Sequence, residues 1–148
     1  MNINVIEKAI SDICGDLKLN ITSNSQSSSI LNLKEHKILY PKITKTSELI
    51  VQSSTLDNEF HLKNNIEHFN MLNMDIQGAE LLVLKGSRKI INHLDLIYTE
   101  INFKEMYENC VLADELDAFL YELNFQRVLT STPESDCWGD AIYIRKKS

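Results

Sequence analysis

The second half of the chain alternates two kinds of apolar segment, and this alternation restricts the possible fold more than any other feature. The apolar run at 69–76 suits a strand buried on both faces, as in parallel sheets, and Gly78 shortly after it lets the backbone turn tightly into a helix. A helix-type pattern then covers 79–85, where leucines can form one apolar stripe. Strands that alternate with helices predict a parallel sheet with helices packed on its faces.

The same alternation continues toward the C-terminal end. Residues 94–101 predict a second buried strand, and 113–123 predict a helix with its apolar side chains on one face. Two more strands are predicted at 125–130 and 140–145, and the lack of a helix between them favours an antiparallel pair. Residues 66–148 are therefore expected to form β-α-β-α-β-β, an α/β fold with a mostly parallel sheet and an antiparallel C-terminal strand pair.

The first half of the chain, about residues 1–65, is less regular. The predicted elements are three strands and one short helix, at 2–6, 17–21, 48–55 and 56–65. Residues 22–29 are almost all Ser, Asn and Gln apart from flanking threonine, and such side chains compete for backbone hydrogen bonds, which favours a loop. We expect a single domain over residues 1–148.

Composition disfavours several classes of protein. The 148 residues carry a formal net charge of −6, which argues against binding to nucleic-acid backbones or anionic membrane surfaces. No apolar run approaches the roughly 20 residues of a membrane helix, and no secretory signal is evident. The three cysteines form no CxxC pair, and the four histidines lack metal-ligand spacing, so we expect a cytoplasmic protein without a metal site.

Two acidic residues stand at the ends of predicted strands, Asp75 and Glu100. Ligands of open α/β sheets bind beyond the carboxyl ends of the strands, so both side chains are expected to face one crevice. An Asp that follows a buried apolar run needs a partner, which favours a functional role for Asp75. Glu80 lies in the first turn of the predicted helix, where it is either functional or a helix cap. A solvated strand end is the alternative interpretation of Glu100.

The segment 72–86 reads LNMDIQGAELLVLKG, and it resembles the FkbM-type methyltransferases, which depend on S-adenosylmethionine. Four other segments are similar to motifs of that family: the Ser-rich residues 24–31, Thr-Leu-Asp at 55–57, Tyr-Thr-Glu at 98–100 and Trp-Gly-Asp-Ala at 138–141. The resemblance covers about residues 5–145.

The resemblance implies a Rossmann-like sheet and O-methylation of a sugar, lipid or secondary-metabolite hydroxyl. It assigns Asp75 and Glu100 to catalysis. The other implied contacts are Ala9, Asp75 and Gln77 with the cofactor, and Ser27, Ser28 and Glu80 with the substrate or its loop. In the full family Glu100 would help to position or deprotonate the acceptor hydroxyl.

One motif of the family is missing. No two of the four glycines form a GxG turn, and the resemblance places the start of the chain at the family's third strand. The expected sheet is thus incomplete, with 69–76 as an exposed apolar edge. The chain is then a fragment, a poorly folding copy, or one that a homodimer or another partner chain completes. A non-catalytic interaction module is the alternative function, and a magnesium-assisted hydrolase using Asp75, Glu80, Glu100 and Asp140 is a third.

Overall fold

The computed structural model describes residues 3–61, 69–132 and 136–146. These residues form two small sheets. The first sheet has the order β1-β3-β2 and contains β1 (Ala9–Ile10), β2 (Gly15–Thr22) and β3 (Lys45–Ser54). The second has the order β4-β5-β7-β6 and contains β4 (Met71–Met74), β5 (Leu96–Asn102), β6 (Phe125–Ser131) and β7 (Trp138–Arg145).

Short helices connect the strands. The α-helices are α1 (His36–Leu39), α2 (Leu56–His61), α3 (Glu80–Lys85) and α4 (Ala113–Glu122). Within the described ranges, turns of 3-10 helix lie at Ser25–Ser27 and Ile90–His93. Only α4 exceeds two turns among the described residues, so packing rather than helix propensity holds these segments in place.

The order of elements predicted for the second half is confirmed, and so is the antiparallel pair of β6 with β7. The prediction of a mostly parallel sheet is wrong. In the second sheet β4–β5 is the one parallel pair of the described strands, because β7 lies between β5 and β6 and is antiparallel to both. Only residues 132–137 separate β6 from β7, and a connection of this length is too short for a crossover and reverses the strand direction.

The first half is partly as predicted. The strands at 17–21 and 48–55 correspond to β2 and β3, which pair antiparallel. The strand at 2–6 is wrong for its described residues: Ile3 and Val5 are 78% and 79% exposed and belong to no strand. Residues 62–65 of the predicted helix lie outside the described residues.

The strand β4 lies at one edge of the second sheet. Among the described residues it pairs with β5 on one side only, and the Met71 side chain is 53% exposed. The expectation that this strand is buried on both faces is therefore wrong, while its expected position at an exposed edge is confirmed. An unpaired edge with apolar side chains is a surface that another strand can join.

The larger core joins the second sheet to α3 and α4. Its fully buried members include Ile97 and Ile101 from β5 and Leu116 and Leu120 from α4. A smaller cluster consists of Leu33, Met106, Tyr107 and Cys110. This second cluster connects the segment before α1 to the segment after β5, and it underlies the functional site described below.

At Gly86, the end of α3 meets the segments that follow β1 and β3. The Gly86 carbonyl oxygen accepts a hydrogen bond of 3.2 Å from the Asp57 N–H, at the start of α2. A Cβ atom at Gly86 would overlap the carbonyl oxygen of Ser11 and lie 3.1 Å from Thr55 Cβ. A side chain at this position would thus separate α3 from the segment that follows β1.

We expect Gly86→Ala to lower the free energy of unfolding by about 2 kcal/mol or more, because backbone atoms must move to accept the methyl group. Urea denaturation followed by circular dichroism measures this loss. Lys85→Ala is the control: its side chain is exposed on the same helix, and it should change stability by less than about 0.5 kcal/mol. Equal stability of the two variants would contradict the close contact at Gly86.

Candidate functional site

A tight loop carries the chain from the end of β4 into α3. Gln77 and Gly78 have positive φ angles of 59° and 94°, in or near the left-handed region. A Cβ atom at Gly78 would lie 3.0 Å from Cβ atoms of both Tyr107 and Cys110. Glycine is therefore required for the turn and for the close approach of the loop to the segment 107–110.

The Glu80 side chain holds this loop in place through hydrogen bonds to its backbone. Its side chain is fully buried, and Oε1 accepts hydrogen bonds from the N–H groups of Ile76 at 3.3 Å and Gly78 at 3.1 Å. Its Oε2 atom is buried and has no hydrogen-bond partner in the described part of the chain. Burial raises the pKa of Glu80 to about 7, although hydrogen bonds from the backbone N–H groups of Glu80, Gly78 and Ile76 lower it.

Gln77 connects the acidic residues of the two strand ends. Its Nε2 atom donates to Asp75 Oδ1 at 2.5 Å and to Glu100 Oε2 at 3.3 Å. Its Oε1 atom accepts a hydrogen bond of 2.6 Å from the Tyr107 hydroxyl. The backbone carbonyl of Gln77 accepts a further bond of 2.8 Å from Ser29 Oγ. One amide side chain thus positions both carboxylates, and the loop that carries it is fixed from three directions.

Glu100 is a buried acid near the end of β5, and its pKa is strongly raised. It is 8% exposed and lies opposite Asp140 in the register of β5 and β7. Burial, followed by the carboxylates of Glu80, Asp75 and Asp140, raises the pKa of Glu100 to about 8. A carboxyl group with this pKa exchanges its proton near neutral pH, as a general base or acid must.

These acids line a cavity of about 670 Å³ at the end of the second sheet. This volume is within the usual range for small-molecule sites, roughly 300–1,000 Å³. The polar lining includes Asp75, Gln77, Glu100 and Asp140. The remaining lining comes mainly from the Ser-rich loop, α1 and the segment after β5, and consists of Asn24, Gln26, Ser27, His36, Tyr40, Ile43, Met106, Tyr107 and Trp138.

The residues predicted for the site divide into two groups. Asp75, Gln77, Glu100 and Ser27 all line the cavity, and Glu80 supports the loop behind it. Ala9 and Ser28 do not line the cavity. Ala9 belongs to β1 in the first sheet, where it pairs with β3. Ser28 Oγ accepts a hydrogen bond of 3.2 Å from the Thr22 N–H, which stabilises the Ser-rich loop itself.

The cavity also contains residues that the sequence analysis did not assign to it. Asp140 is named there only for the magnesium alternative, Trp138 only as part of a family motif, and His36 only through the spacing of the histidines. The register of β5 with β7 brings Asp140 opposite Glu100 and Trp138 opposite Asn102. A prediction of that strand pairing would have placed both. For His36 no signal in the sequence indicates proximity to the cavity, because α1 reaches it through contacts distant along the chain.

The acids do not form a metal site of the kind considered from the sequence. Within the described ranges, no group of three or more His, Cys, Asp or Glu side chains is arranged to hold a metal ion. His68 lies outside the described residues.

None of the helices in the described ranges has the length and apolar character required to cross a membrane.

The known proteins that this chain resembles are methyltransferases. The model of the family described as "Methyltransferase FkbM domain" matches residues 3–127. The 2-O-methyltransferase NoeI of Sinorhizobium fredii is 30% identical over 82 residues, which are 55% of this chain and 33% of the relative. The aligned part of the chain thus spans about a third of the length of this curated relative. No solved structure matches the chain significantly.

We expect Glu80→Gln to stabilise the protein at neutral and alkaline pH. The folded-state pKa of about 7 lies above the ordinary value of 4.5, so the wild-type protein loses stability as the pH rises from about 4.5 to about 7. The loss approaches about 3 kcal/mol. Gln keeps the acceptor for Ile76 and Gly78 and removes the charge.

Urea unfolding at about pH 5 and about pH 8 measures the difference between the two proteins, which should be small at the lower pH and large at the higher. Glu80→Ala is the matched control, because it also removes the charge but leaves two N–H groups without their acceptor. A difference between wild type and Glu80→Gln that does not vary with pH would contradict the buried carboxylate.

Proposed function

The chain belongs to the FkbM methyltransferase domain family, and on that premise we propose that it transfers a methyl group from S-adenosylmethionine to a hydroxyl oxygen of a small molecule. The acceptor is a sugar, lipid or secondary metabolite. The name of the relative from Sinorhizobium fredii, a 2-O-methyltransferase, supports oxygen as the methylated atom. The observation that carries the proposal is the pair Asp75 and Glu100, held by Gln77 at the wall of one cavity.

The residues of the cavity fit the reactive part of the cofactor. A sulfonium is a cation, and the cavity presents the carboxyl groups of Asp75, Glu100 and Asp140 within one wall. Their mutual repulsion contributes to the raised pKa of Glu100, and a cation bound among them would relieve it. The implied roles of Ala9 at the cofactor and Ser28 at the substrate stay predictions.

The chemistry requires an activated acceptor. A neutral hydroxyl is a weak nucleophile, and Glu100 in its ionised form takes the hydroxyl proton as the oxygen attacks. S-adenosylmethionine, when bound, supplies an electrophilic methyl carbon whose bond to sulfur breaks as the new C–O bond forms, with the electron pair kept by sulfur. Asp75 and Gln77 orient the acceptor and hold Glu100 in place, so that alignment contributes much of the rate.

We expect isothermal titration calorimetry with S-adenosylmethionine to detect binding, with an affinity that rises as the pH increases through about 8. Glu100 loses its proton over that range and then attracts the cation. Asp75→Asn should weaken binding by about tenfold, and Glu100→Gln should remove the rise of affinity with pH. These titrations require no knowledge of the acceptor.

Asp114→Asn is the control variant, since it removes one negative charge at an exposed position in the first turn of α4, outside the cavity lining. It should bind as the wild type does. Absence of heat from protein that circular dichroism shows to be folded would contradict methyl transfer by this chain alone. Transfer of labelled methyl groups that survives in Asp75→Ala would remove the role of Asp75.

A second candidate is a module that pairs with another copy through β4. The exposed edge of β4 and the exposed Met71 side chain favour it. On this hypothesis, wild-type protein dimerises with rising concentration in analytical ultracentrifugation, and Met71→Lys stays monomeric because a charge on an edge strand opposes pairing. Val128→Lys, at a half-exposed position on the opposite edge strand β6, should dimerise like wild type. Monomeric wild type at all concentrations would exclude pairing between copies.

A further inference from the structure

The Tyr107 side chain connects the smaller hydrophobic cluster to the Gln77 amide. The residue is 1% exposed, and its ring is part of that cluster. Its hydroxyl donates a hydrogen bond of 2.6 Å to Gln77 Oε1, while the carbonyl oxygen of Ser27, at 3.3 Å, is a more distant acceptor. A ring packed in such a cluster has little freedom to move, so the hydroxyl stays at a fixed place beside the amide.

The Gln77 amide has two chemically different ends, and each end has its own partners. Its NH2 group donates to Asp75 and Glu100, whereas its oxygen accepts from Tyr107. Rotation of the amide by half a turn would place the oxygen against the two carboxyl groups, which are themselves acceptors when ionised. The Tyr107 hydroxyl opposes this rotation, because it gives the amide oxygen a donor in the observed orientation only.

The surroundings of Tyr107 keep the proton on its hydroxyl. Burial is the largest cause, and neighbouring groups act in the same direction: Glu100, Glu80, Asp75 and Cys110. Together they raise the pKa of Tyr107 far above its ordinary value of 10. The hydroxyl therefore remains a donor throughout the pH range in which Glu100 exchanges its proton.

The groups that face Glu100 mostly oppose its ionisation. Burial has the largest effect, followed by acids from other parts of the site: Glu80 of α3, Asp75 after β4 and Asp140 of β7. The Tyr98 hydroxyl lies beside them and is hydrogen-bonded to Asp140. The Gln77 NH2 group has the opposite effect, since its hydrogen bond lowers the pKa of Glu100. The ionisation of Glu100 thus depends on which end of the amide faces it.

We propose that Tyr107 is a positioning residue for the general base: its hydroxyl holds the Gln77 amide with the NH2 group toward the carboxyl groups, and thereby keeps Glu100 able to accept a proton. The inference rests on the proposed function, in which Glu100 takes the proton of the acceptor hydroxyl. Donation to the amide oxygen also polarises the amide and strengthens its own donation to the carboxylates. Tyr107 acts through Gln77 and not on the reacting atoms.

The test compares Tyr107→Phe with Tyr143→Phe, each of which removes one buried hydroxyl and keeps the ring. Tyr143 is a matched control because it is also 1% exposed and its hydroxyl donates to a side chain, that of Asp117, at 2.8 Å, away from the cavity lining. The protein is labelled with carbon-13 at the carboxyl carbons of glutamate, and the Glu100 resonance is identified by its absence in Glu100→Gln. The chemical shift of this resonance as a function of pH gives the midpoint of ionisation.

We expect a midpoint of about pH 8 in the wild type and in Tyr143→Phe. Tyr107→Phe should raise this midpoint by roughly one pH unit, because a hydrogen bond to a charged group is weakened. Gln77→Met, which removes the amide, should raise it at least as much. When Tyr107→Phe is added to Gln77→Met, the midpoint should not rise further, because the effects of residues that act through one another are not additive.

Equal midpoints in the wild type and Tyr107→Phe would overturn the proposal, and so would an equal rise in Tyr143→Phe. Additive rises in the double variant would show that Tyr107 acts on Glu100 directly, and would also overturn it. If Tyr107→Phe does not fold, an unchanged midpoint in Gln77→Met is sufficient to overturn it. The titration requires no S-adenosylmethionine, so it fails independently of the calorimetry. The expected shifts without cofactor binding would remove the proposed reaction and leave the positioning of Glu100.

Discussion

The geometry of the cavity depends on one buried carboxyl group. Glu80 accepts hydrogen bonds from the backbone of the loop between β4 and α3, and no solvent reaches it. The loop in turn carries Gln77, whose amide binds Asp75 and Glu100 from two different strand ends. The position of both acids therefore derives from a group that does not itself line the cavity. A buried carboxyl with one partnerless oxygen is costly, and the backbone hydrogen bonds that its other oxygen accepts offset part of this cost.

Crowding of negative charge is the main electrostatic property of the site. Glu100 lies near Glu80, Asp75 and Asp140, and its pKa rises because burial and these carboxylates both oppose its ionisation. Such a cluster is stable when protons or a bound cation neutralise it. The same arrangement that destabilises the ionised form of Glu100 makes the cavity suited to a cationic methyl donor and gives the acid a pKa near neutral pH.

The sequence predicted some features of the site and not others. Asp75 and Glu100 follow apolar runs that form strands, and strand ends at one edge of a sheet lie close together, so their convergence could be anticipated. The linking role of Gln77 could not, because it depends on a positive φ angle and on Tyr107, thirty residues away. The pairing of β7 with β5 was also beyond the sequence, since an apolar pattern of period two does not specify which strand lies beside it.

The sequence by itself determined the order of the elements in the second half, the turn at Gly78 and the family, because these depend on local periodicity and on motifs that are continuous along the chain. Only the tertiary structure decided that His36, Trp138 and Asp140 share a cavity with the acids. The physical reason is that their proximity comes from strand register and from packing between distant segments. Neither can be inferred from the spacing of residues along the chain.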